Sequence, residues 1–436
     1  MQFTTDKELE VTLTNHRRRS VQAMGIILSV IAFIGFATPH VSADAGEDPA
    51  SNEIVIGALL SLTGGWSTLG RASEAALMIA AEDLNTQLKS VGSPTRVRVV
   101  VEDTKLEPAL ALEAAQSLAA QGVRVIVGPQ SSSEVAALAP WAEATGVVLI
   151  SQGSTASALS LPNDSIIRLV PDDVREAEAL VALLGEDHRS VLVPIWRGDV
   201  GNDGLHASTT RLFEQAGGTV TAGVRYDANT TDFAATLAAL REQVEEQVAR
   251  HGTSATAVYL AGFDEIAELF ALAGNDPVLS SVSWYGSDGV ALSEALPKNA
   301  AAAQFAAAVG FPAPLVGVEE RLRDRWQPIA DQILAMTGIT ADAFSLVAYD
   351  AGRLAALAQI FAAGGDITAG LRDVVIGMAN QFNGISGPTT LNAAGDRETG
   401  SFDFWAIREI DGTFQWTRVA RYEATTGVPG EGQVVR

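Results

Sequence analysis

Short apolar runs rich in β-branched residues recur along the chain, each ending in a small polar loop and followed by an alanine-rich or amphipathic stretch. The runs are Ile54–Leu62, Val97–Glu102, 123–127, 147–151 and Ile166–Val170, with helices expected over about 72–85 and 108–121. Runs of this length, punctuated by Gly, Ser and Pro and separated by single helices, predict buried parallel strands. Right-handed crossovers then place helices on both faces of the sheet. A second series begins near Pro171: strands at Val191–Ile195, Val220–Tyr226, Ala257–Gly262 and Val282–Gly286, with helices near 203–216, 232–250 and 264–273. The two series share a plan but show no sequence repeat.

The remainder adds no third series. Three helical segments fill about 319–381, and Phe402–Arg408 and Phe414–Arg421 alternate around Asp411-Gly412, a hairpin turn. These pieces are expected to complete the two earlier units, so the chain crosses between them near 168–172, 310–316 and 384–391, all rich in Pro or Gly. The expected class is α/β: two doubly wound Rossmann-like lobes joined by a three-segment hinge. Residues 53–169 and 313–385 form lobe 1, residues 170–312 and 386–425 form lobe 2, and 426–436 are a C-terminal tail. Ahead of them, Arg17-Arg18-Arg19, an apolar run from Ala23 to Ala37 and Val41-Ser42-Ala43 read as a signal peptide over 1–43, with 44–52 a polar linker. The apolar run is shorter than the roughly 20 residues of a membrane span. The long segment before it keeps an uncleaved anchor as the alternative. The expected location is periplasmic or extracellular.

Composition narrows the chemistry. At 436 residues two domains are the default, and a net charge of −23, from 52 acidic and 29 basic residues, argues against nucleic acid as a partner. With no cysteine, disulfides, thiolate metal sites, a Cys nucleophile and a lipid-modified Cys are excluded. The five histidines do not cluster at metal spacing, and no P-loop, nucleophile-elbow or zincin motif occurs. The expectation is no enzyme, no cofactor and no metal.

What the pattern does offer is a place to hold something. At Val123–Thr155 two adjacent strands end in PQSSSEV and QGST, bringing hydroxyls, pliable backbone and a helix start to one point. In open α/β sheets ligands sit outside the carboxyl ends of strands. Ser131 with Glu134 fits a capping box, leaving Ser132 to face a cleft. Ser154 and Thr155 fit either a ligand contact or a cap for 156–160, and Asp288 either a ligand contact or the N-cap of a helix over 290–296. Trp66 is either a lid or ordinary packing. Arg197 is expected to pair with Asp199, and Asp172 and Asp173 to cap the helix after Pro171.

The chain resembles the leucine/isoleucine/valine-binding family of type I periplasmic solute-binding proteins of ABC importers. The resemblance spans about 53–425 and rests on motifs in order: IVIGALLSLTG with a G-x-x-x-x-A-A helix, VGPQSS, VVLISQGST, IIRLVPDD, YGSDG, AFSLVAYDA and GPTTLNAAGD. It implies two lobes that close on one small ligand without chemistry. It also implies Ser132, Gly153, Ser154 and Thr155 for an α-carboxylate, Asp288 for an α-ammonium, and Phe263 and Phe344 as aromatic positions beside Trp66. Branched-chain binders usually carry Glu where Asp288 stands. The implied partners are a small amino-acid ligand and membrane permease subunits, with the protein itself a monomer. Alternatives on the same fold are a sensing receptor ectodomain and a binder of urea or short amides.

Overall fold

The computed structural model describes residues 52–364, 370–424 and 432–436; the expected signal peptide and nearly all of the linker lie outside them. The first series folds as β1 (Glu53–Leu60), β2 (Arg96–Asp103), β3 (Val125–Val127), β4 (Val148–Ser151) and β5 (Ile166–Arg168), all parallel, in the order β2-β1-β3-β4-β5. Helices α1 (Ser67–Ser90), α2 (Pro108–Ala120) and α3 (Ser132–Thr145) connect them. The chain reverses direction across the sheet between β1 and β3, which is where such sheets leave a crevice at their carboxyl ends. Helix α1 starts five residues before the expected 72–85. Gly70 lets its first turn press on the end of β1, since a Cβ there would stand 1.9 Å from the Ser61 carbonyl oxygen.

The second series repeats the plan. Helix α4 (Asp173–Glu186) leads into β6 (Val191–Gly198), and helices α5 (Val200–Gln215), α6 (Ala234–His251) and α7 (Ile266–Ala273) separate the strands that follow. Those strands are β7 (Thr219–Val220), β8 (Val224–Asp227), β9 (Thr256–Ala261) and β10 (Ser283–Tyr285). The order is β10-β9-β6-β7, with β8 also on β6. The single strand expected over 220–226 is interrupted near Gly223, whose φ of +64° brings its backbone against the Pro194 carbonyl oxygen.

Two boundaries differ from expectation. After α8 (Ala295–Lys298) and α9 (Ala300–Val309), the segment assigned to the start of lobe 1's second portion is a strand, β11 (Ala313–Gly317). Helices α10 (Arg323–Thr337), α11 (Ala343–Gly364) and α12 (Leu371–Ala379) follow, then the short pair β12 (Asn383–Gly384) and β13 (Gly387–Pro388). Strand β11 pairs antiparallel with β14 (Ser401–Ile410), and β14 with β15 (Thr413–Ala424). Residues 313–317 therefore belong with lobe 2, and the chain crosses at about 318–319. Within the expected C-terminal tail, β16 (Gly432–Val435) extends this sheet along β15. Helix α11 is apolar and long enough to cross a membrane, yet 67% of its most apolar window is buried. It packs on α1 as the core helix of lobe 1.

The crossovers are tied together. Arg168, at the end of β5, is buried and pairs with Asp396 through Nε (2.6 Å) and Nη2 (2.7 Å), while its Nη1 donates to the Ala156 carbonyl. Backbone bonds Arg168 N–H to Gly395 O and Arg397 N–H to Arg168 O close the bridge. Arg397 donates to Leu169 O and Ser386 O, and Asp350 of α11 accepts from Ile385 and Ser386. A hinge of several strands bends without separating the lobes.

Candidate functional site

The carboxyl ends of β1, β3 and β4 face those of β6, β9 and β10 across the cleft. The β1 end carries Trp66, which sits just before α1 with φ +58° and no side-chain cap of its own. Its ring lies 4.9 Å from Phe263, which follows β9, and 6.0 Å from Phe344 of α11. The three aromatic positions named from sequence thus form one cluster, drawn from both lobes. Pairs of this kind contribute about 0.5–1.5 kcal/mol each beyond area burial. Arg197 stands 5.5 Å from the Phe263 ring centre and is held by Asp199 (2.8 Å) and Glu265 (3.4 Å), a structural pairing as expected.

The serine loop after β3 sorts itself by hydrogen bonds. Ser131 is the N-cap of α3: its Oγ accepts from the Glu134 N–H and donates to the Glu134 carboxylate at 2.6 Å, and its own N–H donates to Glu134. That capping box was expected. Ser132, the first residue of α3, instead turns its Oγ toward Ser154 Oγ (3.0 Å) and accepts from the Ala156 N–H (3.2 Å). Ser154 N–H donates to Ser151 Oγ. No cap by Ser154 or Thr155 forms, because the segment after them is a single 3₁₀ turn, 157–159, without a side-chain cap. Gly153 leaves room for the loop, since a Cβ would meet the Gln130 carbonyl oxygen at 2.9 Å and the Trp66 ring at 3.4 Å. Gln130, which sequence reasoning passed over, donates to Trp66 O and accepts from Ser61 N–H, locking the β3 loop to the β1 loop.

Lobe 2 brings a second helix start to the same point. Asp199 caps α5 by accepting from Asn202 N–H, and Val200 N–H donates to Ser133 Oγ across the cleft at 3.3 Å. The N-termini of α3 and α5 therefore point at one another, and each presents free N–H groups and the positive end of its dipole.

Opposite this positive end lies an acidic one. Asp288 forms no N-cap for a helix over 290–296; it begins a 3₁₀ turn, 288–290, and is buried. Its N–H donates to Glu176 Oε1 at 3.1 Å. Asp173, expected to cap α4, does not, because Asp172 does so by accepting from Arg175 N–H. Asp173 is fully buried and, among the described residues, neither of its carboxylate oxygens has a hydrogen-bond partner; Glu176 Oε2 has none either. Burial pushes the Asp173 carboxyl up to about 7, opposed by the neighbouring Thr155 hydroxyl and reinforced by Asp288. Burial likewise raises Asp288 and, with the added charges of Asp288 and Asp173, raises Glu176 well above the usual carboxylate range. The sequence reading gave Asp173 only a capping role and passed over Glu176, although both stand on the stripe of α4 that also buries Ala177, Leu180 and Leu184. Acids at core positions of an amphipathic helix were the available signal.

Trp66, Ser132, Gly153, Thr155, Phe263 and Asp288 line one enclosed space together with the start of α5. Its volume is about 20 Å³, against roughly 300–1,000 Å³ for ordinary ligand pockets. The lobes are closed on each other and their own side chains fill most of the cleft. Among the described residues no His, Asp or Glu cluster has the geometry to hold a metal ion.

The fold has recognisable relatives. An uncharacterized protein of Methanocaldococcus jannaschii, MJ1266, is 28% identical over 394 residues, covering 86% of this chain and 91% of its own. In fold the chain is similar to the leucine binding protein LivK of Thermotoga maritima (TM-score 0.68, 20% identity, 84% and 97% of the two chains). It is also similar to a solute binding protein of an ABC transporter from R. palustris, solved with 4-hydroxybenzoate (TM-score 0.67, 15% identity, 85% and 97%). The family model described as periplasmic binding protein matches residues 53–406, and the chain belongs to that family.

Proposed function

We propose that this protein is the extracytoplasmic solute-binding component of an ABC importer, and that it closes its lobes on a small α-amino acid. The observation that carries this reading is the opposed polarity of the cleft. One wall offers the Ser132 and Ser154 hydroxyls beside two helix N-termini, suited to a carboxylate, and Thr155, whose hydroxyl lies by Asp173 and Asp288, joins it to the acidic wall. The other offers Asp288, suited to an ammonium. Trp66, Phe263 and Phe344 lie between them as an apolar wall for a side chain. A benzoate, like that held by the R. palustris neighbour, has no cationic group to set against Asp288, and urea or a neutral amide supplies no carboxylate for the serine wall. The hinge opens to admit the ligand, closure buries it, and permease subunits recognise the closed form. The chain acts without chemical turnover and as a monomer.

Thermal unfolding against a panel of amino acids, 4-hydroxybenzoate and urea tests the reading. A ligand at 100 times its Kd stabilises by about 2.7 kcal/mol, a shift of several degrees. One or a few amino acids should give it; a shift with benzoate or urea alone overturns it. Mass spectrometry of small molecules that co-purify with the protein identifies the ligand directly.

A further inference from the structure

We propose that Asp288 does not work alone: with Glu176 and Asp173 behind it, it forms a buried acidic pocket that holds a proton until a ligand's ammonium displaces it. The inference rests on the amino-acid reading above and adds a proton to it. On capture, R–NH₃⁺ enters beside Asp288, and the proton held by the carboxyl groups leaves to solvent.

The geometry is that of a site built for a positive charge. Three carboxyl groups from two separate elements converge: Asp173 and Glu176 from the first turn of α4, and Asp288 from the turn after β10. Among them, Asp288 N–H donates to Glu176 Oε1, and the Glu176 and Asp288 carboxyl groups lie close enough to share a proton. Both oxygens of Asp173, Oε2 of Glu176, the Tyr259 hydroxyl of β9 and the Ser287 hydroxyl are buried without a partner. The Tyr259 hydroxyl resists ionisation through burial first, then through Glu176, which places it against the same cluster. Asp173 Oδ2 lies 2.8 Å from where a Cβ on Gly204 would stand, so only a glycine on α5 lets the second helix approach the carboxylate.

The charged groups facing this pocket are Asp172, Asp173 and Glu176 on α4, Asp288, Tyr259, and Arg168 on β5. Among the described residues Arg168 is the one cation facing it, and it is committed to Asp396. Burying even one unpaired carboxylate costs several kcal/mol, and adjacent like charges oppose one another further. The pocket therefore keeps at least one proton near neutral pH, and a ligand ammonium supplies the charge that makes the proton unnecessary. Glu176 is a positioning residue in this scheme, setting the charge on Asp288 without touching the ligand.

Two measurements test it. In isothermal titration calorimetry with L-leucine, L-isoleucine and L-valine in phosphate and in bis-Tris buffers, wild type should release close to one proton per ligand at pH 6. Its affinity should rise by up to tenfold per pH unit from pH 5 toward 7; Glu176→Gln should flatten that rise to less than threefold per unit. Amino-acid binding without proton release overturns the proposal. The second measurement uses no ligand: melting temperature from pH 4.5 to 8 for wild type, Glu176→Gln and Asp173→Asn. Carboxyl groups raised in the folded state stabilise at low pH, and that contribution is lost as pH rises through their folded values. Wild type should therefore lose stability over this range relative to both variants, whereas superimposable profiles overturn the proposal. If the profiles diverge but none of the amino acids binds, the proton-holding pocket stands and the amino-acid reading falls.

Discussion

The Trp66 N–H donates to the Asp264 carboxylate at 2.8 Å although the residues are 198 positions apart and on opposite lobes. Asp264 also accepts from the Ser67 N–H and from the Ser293 hydroxyl. Trp66 offers α1 no side-chain cap, so the long helix of lobe 1 is capped by an acid of lobe 2 only while the cleft is shut. The neighbouring Arg71–Glu294 ion pair at 3.3 Å spans the same rim, but as a largely solvated pair it adds little.

Asp264→Ala should therefore favour opening. N-cap loss costs about 0.5–2 kcal/mol, so the dissociation rate of bound ligand should rise roughly two- to thirtyfold with the association rate nearly unchanged. Stopped-flow fluorescence of Trp66 reads both. Unchanged dissociation would mean that the Trp66–Phe263 stack and the ligand hold the lobes without help.

Ser131 and Ser132 are neighbours with different work, and alanine substitutions should separate them. Ser131→Ala removes the α3 cap and leaves Glu134 buried with fewer partners, so folding stability should drop by about 1–2 kcal/mol. Ser132→Ala should weaken ligand binding by about tenfold or more, as expected for a hydrogen bond to a charged group worth roughly 1.5–3 kcal/mol. Denaturant melts and calorimetry on both variants decide the matter; equal loss of affinity in both would contradict the assignment.

Asp396→Ala should be among the most damaging single changes outside the cleft. It strands the Arg168 guanidinium, which is buried at the first crossover and has only one other partner, the Ala156 carbonyl. Breaking one side of such a pair costs about 3–5 kcal/mol. Equilibrium unfolding in urea should show that loss, and Asp396→Asn, which keeps an acceptor oxygen, should be milder.

Gly70→Ala tests the seat of α1. The new methyl would have to displace the Ser61 carbonyl, 1.9 Å away, and so move the loop that carries Trp66. Stability should fall by more than about 2 kcal/mol, the scale of core overpacking, together with ligand affinity. Gly364 closes the C-terminal end of α11 with nothing within 4 Å of a Cβ, and Gly364→Ala serves as the near-neutral control.

Much of the architecture was legible in the chain. The strands at 54–62, 147–151 and 257–262 announced themselves because parallel strands buried on both faces are continuous apolar runs. The hairpin at Asp411-Gly412 was equally plain, since its turn needs residues tolerant of positive φ. Strand β11 was read as a linker: Pro312 and Pro314 flank and interrupt it, and what makes it a strand is an antiparallel partner at 401–405. The edge strand 432–435 was likewise invisible, because among the described residues its one strand partner is β15.

In the candidate site, composition and order along the chain determined that serines, glycines and an aspartate stand after strands, and the resemblance built on them led to the family. Short-range patterns carry that much because strand and helix periods are set by local backbone geometry. Which serine caps and which faces the cleft, that Asp264 caps a helix of the other lobe, and that Glu176, 112 residues away, meets Asp288 together with Asp173 were decided by sheet order and lobe closure. Those contacts join residues with no local relationship, and only burial from water makes three acids side by side a pocket rather than a solvated face.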